Sequence, residues 1–224
     1  MSSETIAWIE DFNTKIEGVA KLLNITAGSE IQIDAIGLLD DVLLSLKERK
    51  RSAIQSESED VANAVLGCEC VARALRCELQ MWLSLKKEDP HAAWDFLIAA
   101  QLASMDAARA HSGLEHWAQH HERLSLIQNL VYPKQVFMSP GGEVVDARCS
   151  ICDAEYGGCD HIRGRPYMGE FCHRKIYRMK LTEVSVVEEP ANRLCRVIEM
   201  DLDGKRRDTL TWRVVQTTDS TPPE

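Results

Sequence analysis

Four cysteines and two histidines lie within one short segment of the sequence, residues 149–173. The first pair, Cys149 and Cys152, has the spacing Cys-x2-Cys, and the second pair, Cys159 and His161, has the spacing Cys-x-His. Two thiolates from such a knuckle and two ligands from a nearby loop complete a tetrahedron around one zinc ion. The segment therefore predicts a Cys3His zinc site made of these four residues.

Cys172 and His173 follow after ten more residues and raise the supply of soft ligands above four. Either residue could replace His161, so both are kept as spare ligands. A catalytic zinc has three protein ligands and one open position, whereas a closed set of four is typical of a structural site. The zinc deaminase signature places His-x-Glu before Cys-x2-Cys, and here the Cys-x2-Cys pair comes first. We therefore expect a structural zinc and no catalytic residue.

A basic strip surrounds and follows the predicted zinc loop over residues 162–180, with Glu170 as its one acidic residue. Cations and aromatic rings on such a loop can dock an acidic protein surface, including the acidic helices of a second copy. They can also follow a phosphate backbone and stack bases. Protein contact is the preferred hypothesis and nucleic-acid contact the alternative. The expected binding surface consists of Arg163, Arg165, Tyr167, Arg174, Lys175 and Arg178.

Charge and hydropathy limit the classes of protein to which this chain is expected to belong. The 224 residues carry a net charge of −9, and residues 1–130 hold 12 basic and 20 acidic side chains, which does not favour nucleic-acid binding by the whole chain. No run of about 18 apolar residues predicts a membrane span, and the start MSSETIAWIEDF lacks the regions of a signal peptide. We expect a cytoplasmic protein whose thiols bind metal instead of forming disulfides.

Helical periodicity dominates residues 1–132. Apolar residues recur in steps of four and three from Val61 to Trp82, which is an a/d seam over three heptads. A second apolar stripe on the same segment includes Cys70 and Cys77, and a helix that is apolar on two faces is typical of the centre of a bundle. We therefore predict an all-α bundle of four or five helices, with these cysteines as buried small side chains.

Beyond Pro133 the β-branched residues become more frequent and the pattern predicts strands. A turn is expected at residues 140–142, and a short strand at residues 183–187. Asp203-Gly204 predicts a hairpin between strands over 194–201 and 209–216, with a loop longer than two residues. The fold class is therefore α+β. The domains are a helical bundle (1–132), a small zinc-stabilised β-rich module (133–216) and a disordered tail (217–224).

The zinc segment and the strand after it resemble part of some tailed-phage prohead proteases and related head-morphogenesis proteins. The resemblance covers about 60 residues, roughly a quarter of the chain, and implies a β-rich zinc module. Those proteases take a serine and a histidine from a β-barrel upstream, whereas helices are predicted upstream here. Ser139 is the residue nearest to such a nucleophile, so a degenerate protease is only an alternative. The shared residues are Cys149, Cys152, Cys159, His161, Gly164, Tyr167, Gly169, Glu183, Val184, Ser185, Val187, Pro190 and Ala191.

Arg109 and His116, separated by six residues, resemble the Arg-x4–6-His motif of HEPN ribonucleases. In that family the pair acts on a phosphodiester within a helical bundle, so a HEPN-like ribonuclease is a second enzymatic alternative. The preferred hypothesis is a non-enzymatic zinc-binding interaction or adaptor protein. It would act in a larger bacterial or phage assembly through the basic loop and through bundle seams that favour oligomerisation.

Overall fold

The computed structural model describes residues 3–215, so the predicted tail at 217–224 lies outside the described residues. Helices occupy the first part of the chain and strands the second, which confirms the predicted α+β class and its order. The helices are α1 (Ser3–Ala20), α2 (Ser29–Gln55), α3 (Glu59–Lys86), α4 (Pro90–Ala110) and α5 (Trp117–Val131), with a single 3-10 turn at Ser112–Leu114.

Helix α3 lies at the centre of the bundle, between α2 and α4. The two apolar stripes of its sequence explain this position, because one face packs on α1 and α2 while the other contacts α4. Val71, Leu75 and Leu79 are buried along α3, and Leu39 and Leu46 of α2 meet them. Burial removes the apolar side chains from water and provides the main stabilisation of the bundle.

The cysteines of α3 behave as small apolar side chains. Burial is the largest cause that raises the pKa of both Cys68 and Cys70 to about 12, and the carboxylate of Glu69 adds to it. Burial also raises the pKa of Cys77. These thiols remain protonated at neutral pH, which is the opposite of what a nucleophile or a metal ligand needs.

The long segment after Pro90 is divided into two helices. Asp89 caps α4, since its side chain accepts a hydrogen bond from the Ala92 N–H at 3.0 Å, and Pro90 occupies the first turn, where no backbone donor is needed. The extended backbone of His111 ends α4. A Cβ added to Gly67 would lie 2.4 Å from the Leu114 Cδ1 and 3.3 Å from the Ala110 Cβ, so little room is left for a side chain on this side of α3.

In the described residues after α5, three two-stranded antiparallel sheets follow the helices. The longest, which we call the ribbon, pairs β1 with β4 from Phe137 opposite Val187 to Cys149 opposite Arg174. The strands are β1 (Phe137–Cys149), β2 (Pro166–Tyr167), β3 (Glu170–Phe171), β4 (Arg174–Val187), β5 (Glu199–Leu202) and β6 (Lys205–Asp208).

The turn predicted at residues 140–142 is wrong, because these residues lie within β1. The register of the ribbon shifts between Gly141 and Gly142, and a Cβ on Gly142 would lie 2.4 Å from the backbone oxygen of Lys180. Glycine therefore permits a bulge and not a chain reversal here. The strand predicted at 183–187 is the last part of β4.

The hairpin at Asp203-Gly204 is present, but its predicted loop length and strand bounds are wrong. Leu202 pairs directly with Lys205, so the loop has two residues. Asp203 and Gly204 have φ values of 53° and 70°, the left-handed conformation of a type I′ turn. The strands β5 and β6 are consequently shorter than predicted and lie next to the turn.

A second apolar cluster joins the base of the ribbon to the helices. Trp94 of α4 is 1% exposed, and its ring meets Tyr132 edge-on at 5.2 Å and lies 6.2 Å from Phe137 at the start of β1. Leu210, after β6, is buried in the same cluster. The strands and the helices thus share a core at this end of the molecule.

Glu78 of α3 is a buried carboxylate with several partners. The His120 Nε2 lies 3.0 Å from one of its oxygens, Arg123 donates to the same oxygen, and the Trp82 Nε1 donates to the other at 3.1 Å. Burial by itself raises the pKa of Glu78, but the hydrogen bonds and charges of His120 and Arg123 outweigh it and hold the pKa below 4.5. The ionised form therefore stabilises the folded state above about pH 4.5, and this contribution is lost as the pH falls through the lowered pKa.

Replacing Glu78 by Gln is expected to lower the free energy of unfolding by about 3 kcal/mol at neutral pH, because Arg123 and His120 lose their charged partner. Urea denaturation from about pH 7 down to pH 3 measures this difference between wild type and variant. It should shrink below about pH 4.5 as the wild-type carboxylate becomes protonated. Glu122→Gln, at an exposed position of α5, is the control. A difference that stays constant with pH would contradict the assignment.

Candidate metal centre

Cys149, Cys152, Cys159 and His161 come together at the far end of the ribbon. Each offers one donor atom, and these atoms all lie within 4.8 Å of one another. In residues 3–215 they form the one group of three or more clustered metal-ligating side chains. The predicted ligand set is therefore brought together in an arrangement compatible with a metal site.

The knuckle is formed by the end of β1 and the turn after it. Cys149 is the last residue of β1, and its backbone carbonyl accepts a hydrogen bond from the Asp153 N–H at 3.0 Å. The left-handed backbone of Asp153, with φ of 59°, returns the chain toward Cys149. The Ile151 N–H also points at the Cys149 sulfur, with a nitrogen–sulfur distance of 3.4 Å. The turn thus directs its backbone donors at a thiolate.

The environment of Cys149 favours its ionised form. Backbone N–H groups of Cys152 and Ile151, with the neighbouring thiols of Cys172 and Cys152, lower the pKa of Cys149 to about 6. By contrast, burial raises the pKa of Cys172, and the nearby Cys149 raises it further. Several thiols crowded into one place cannot all ionise unless a cation balances their charge, and this donor chemistry fits a divalent metal ion.

The surroundings of His161 also fit a metal ligand. Its Nδ1 atom is buried and has no hydrogen-bond partner among the described residues. The ring meets Tyr167 edge-on at 4.6 Å, and the Tyr167 hydroxyl accepts a hydrogen bond from the Ile162 N–H at 2.8 Å. A buried nitrogen without a partner is costly unless something binds its lone pair. A metal ion bound beside the three sulfurs would satisfy this requirement.

The two spare ligands have different surroundings. The Cys172 sulfur lies 3.8 Å from the Cys149 sulfur, and both side chains are 1% exposed. His173 is exposed, and its Nδ1 lies 3.3 Å from the carbonyl oxygen of Phe171. Cys172 therefore belongs to the thiol cluster, whereas His173 lies at the surface.

The metal centre is attached to the helical bundle through a two-residue turn between β2 and β3. Met168 and Gly169 have φ values of 46° and 80°, and the Gly169 N–H donates to the Asn63 side-chain oxygen of α3 at 2.9 Å. Phe171 packs against the apolar core between the helices. The guanidinium of Arg109 lies 5.6 Å from the Phe171 ring. Sequence reasoning missed these contacts; the pattern Tyr-Met-Gly-Glu, a two-residue turn ending in glycine, was the available indication.

Gly169→Ala is expected to cost about 1–3 kcal/mol of unfolding free energy. An added Cβ would lie 2.9 Å from the Lys50 Cδ and 3.3 Å from the Ala62 carbonyl oxygen, at a φ that side chains disfavour. Thermal denaturation measures the loss. Gly157→Ala is the matched control, since Gly157 also has positive φ but no atom within 4 Å of an added Cβ. Equal losses in both variants would show that the contact with the bundle contributes nothing.

The residues of the enzymatic alternatives have separate environments. Arg109 pairs with Asp106 and covers Phe171, whereas His116 is exposed at the start of α5. Ser139 lies within β1 opposite Ser185 and follows helices, not a barrel.

The expected binding surface is largely exposed. Tyr167 differs, since it is half-buried and packs on His161. Arg174 lies over the Tyr156 ring at 5.2 Å, which holds one cation beside the metal loop. The exposed members are Arg163, Arg165, Arg174, Lys175 and Arg178.

No known protein family, curated protein or solved structure matches the chain. Among the helices of residues 3–215, none combines the length and the apolar character needed to cross a membrane.

Proposed function

We propose that the chain is a zinc-dependent binding protein, in which the metal has a structural role and the surface beside it docks an acidic protein partner. The observation that carries this proposal is the convergence of Cys149, Cys152, Cys159 and His161 at the far end of the ribbon. Thiolate and imidazole ligands in a tetrahedral set suit zinc better than magnesium or calcium, which prefer oxygen ligands.

A structural role is supported by the supply of donors. Four side chains close the coordination sphere, and Cys172 stands next to Cys149 as a further thiol, so no position is left for a substrate or an activated water. The metal would instead fix the loop of residues 150–173 between the ribbon and α3. The exposed cations Arg163 and Arg165 belong to this loop, and Lys175 and Arg178 to the strand that leaves it.

The positive charge of the exposed surface supports the proposal of an acidic protein partner. Cations grouped on a rigid loop and strand favour an acidic protein surface, because complementary charge speeds association and orients the complex. The acidic character of the rest of the chain, with net charge −9, argues against a general affinity for nucleic acid. Such a surface fits an interaction or adaptor protein that acts within a larger assembly.

Metal analysis of the purified chain tests the proposal. We expect about one zinc per chain, and loss of that zinc in the double variant Cys149→Ser with Cys152→Ser, which leaves only Cys159 and His161 of the proposed ligand set. Cys195→Ser is the control, since Cys195 is an exposed cysteine outside the cluster. A double variant that keeps its full zinc content would overturn the proposal.

Cobalt substitution refines the ligand set. His161→Ala is expected to change the d–d absorption of the cobalt-loaded chain more than Cys172→Ser does, because His161 is the proposed fourth ligand. The reverse order would assign Cys172 to the metal in place of His161.

A further inference from the structure

The outer edge of β4, on the side away from β1, is a long strand edge. The strand pairs with β1 along one side only, from Arg174 to Val187. The outer edge of β1 is partly covered, since the Met138 N–H donates to the Cys195 carbonyl oxygen and the Ala147 carbonyl oxygen accepts from the Tyr156 N–H. Among residues 3–215, no other segment makes backbone hydrogen bonds to the outer edge of β4. Such an edge presents a row of free N–H and C=O groups to a further strand.

The two faces of the ribbon have different chemistry. One face carries polar cross-strand pairs, among them Glu143 opposite Lys180 and Asp146 opposite Arg178. The other face carries apolar pairs, such as Val144 opposite Met179. The large apolar side chains that β4 contributes to this face are between 40% and 65% exposed. They are Ile176, Met179, Leu181, Val184 and Val186.

A two-stranded ribbon that exposes this much apolar surface is incomplete as a structural unit. Isolated two-stranded hairpins are only marginally stable, and further strands are needed for independent stability. Long, apolar and unprotected edges are the ones that associate with another strand. No proline interrupts β4 to prevent this.

Lys180 and Glu183 of β4 are complementary to the same two residues of a second β4 in antiparallel orientation. Thr182 has no partner in β1, because Glu183 pairs with Gly141 and Leu181 with Gly142. This extra residue puts Lys180 and Glu183 on the same face of the ribbon. A two-fold axis beside Leu181 and Thr182 therefore sets Lys180 opposite Glu183 of the second copy, and the symmetry repeats the pair.

In the same antiparallel register, apolar residues of the two copies also lie opposite one another. Met179 of one copy lies opposite Val184 of the other, both on the apolar side of the sheet. The result is a continuous four-stranded antiparallel sheet in which neither strand of the new pair exposes its backbone edge. Each apolar face becomes part of one wider face, shared by the two copies.

We propose that two copies of the chain associate through the outer edges of β4, in antiparallel register, with Lys180 of each copy paired with Glu183 of the other. This inference names the partner of the ribbon surface and rests on the proposed function, since the metal holds the start of β4. The partner of the β4 edge is then a second copy of the chain, and Glu183 is the acidic group that this copy supplies to Lys180.

Light scattering on the zinc-loaded chain, at concentrations up to about 0.1 mM, tests the pairing. The expected mass is twice the 25.2 kDa of one chain. Lys180→Glu and Glu183→Lys each place like charges opposite one another twice, and each is expected to weaken the dimer at least about tenfold. The double variant, Lys180→Glu with Glu183→Lys, restores opposite charges and is expected to dimerise again.

The charge swap separates pairing between copies from stability within one copy. Lys180→Glu also breaks the pair with Glu143 in its own ribbon, and the second substitution does not restore that pair. Recovery of the dimer in the double variant therefore reports contact between copies. Lys205→Glu, on the exposed end of β6, is the control and should leave the dimer unchanged.

A monomeric wild-type chain, an open-ended assembly, or single variants that dimerise normally would overturn the pairing. The zinc content of the same fractions decides the proposed function separately. A zinc-loaded monomer leaves the zinc-dependent fold standing and removes only the self-association, whereas a chain without zinc removes the proposed function.

Discussion

Removing the metal with a chelator is expected to expose the loop at 150–171 and the far end of the ribbon to proteases, while the helical bundle stays folded. Of residues 150–171, all of them described, only Gly169 is buried, so the loop has almost no apolar core of its own. Metal binding then supplies most of the free energy that orders it, as in small zinc domains where the apparent contribution reaches about 10 kcal/mol.

Trypsin provides the measurement. Arg163 and the cations of β4 are exposed cleavage sites that an ordered backbone protects. Chelation should raise the rate of cleavage there by at least about tenfold, and the helical circular dichroism should change little. Adding zinc back should restore protection. Equal cleavage rates with and without metal would show that contacts of Gly169 and Phe171 with the helices hold the loop by themselves.

Trp94→Ala is expected to have the largest effect of any single core substitution, a loss of about 3–5 kcal/mol of unfolding free energy. The ring is the centre of the cluster that joins α4 to Tyr132 and Phe137, and it is 1% exposed. Its Nε1 donates to the Arg193 carbonyl oxygen at 3.2 Å, and the guanidinium of Arg196 lies 5.6 Å from the ring. Truncation removes the contacts that hold the base of the ribbon on the bundle.

Urea denaturation followed by circular dichroism measures this loss. Trp94→Phe keeps most of the ring volume but not the hydrogen bond, so a smaller loss of about 1–2 kcal/mol is expected. Leu130→Ala is the surface control, since Leu130 is 86% exposed and should change stability by less than about 0.5 kcal/mol. A loss below about 1 kcal/mol for Trp94→Ala would mean that the ribbon and helices are not joined through this cluster.

These two predictions concern opposite ends of the ribbon. The Trp94 cluster holds the end at Phe137 and Val187, and the cysteine and histidine cluster of the proposed metal site lies at the end formed by Cys149 and Arg174. Between the two anchors β4 is exposed from residue 174 to residue 184. The proposed pairing of two copies would therefore use the part of β4 that lies between these two anchors.

The amino-acid sequence by itself determined the features that depend on near neighbours along the chain. The a/d spacing from Val61 to Trp82 predicted the central helix, since packing on two sides requires an apolar residue at each turn. The spacing of Cys149, Cys152, Cys159 and His161 predicted which donors converge, because a short loop limits how far they can separate. Both predictions agree with the structure.

Only the tertiary structure decided the features that depend on distant partners. Gly141 and Gly142 predicted a turn from their local preference, but pairing with β4 across about 40 residues places them in a bulged strand. Cys172 joins the thiol cluster, and Gly169 meets Asn63 across more than 100 residues, because the bundle and the ribbon together position the loop. Strand pairing and docking depend on complementary surfaces of segments that are far apart in the sequence. The local spacing of residues does not show which of these surfaces will meet.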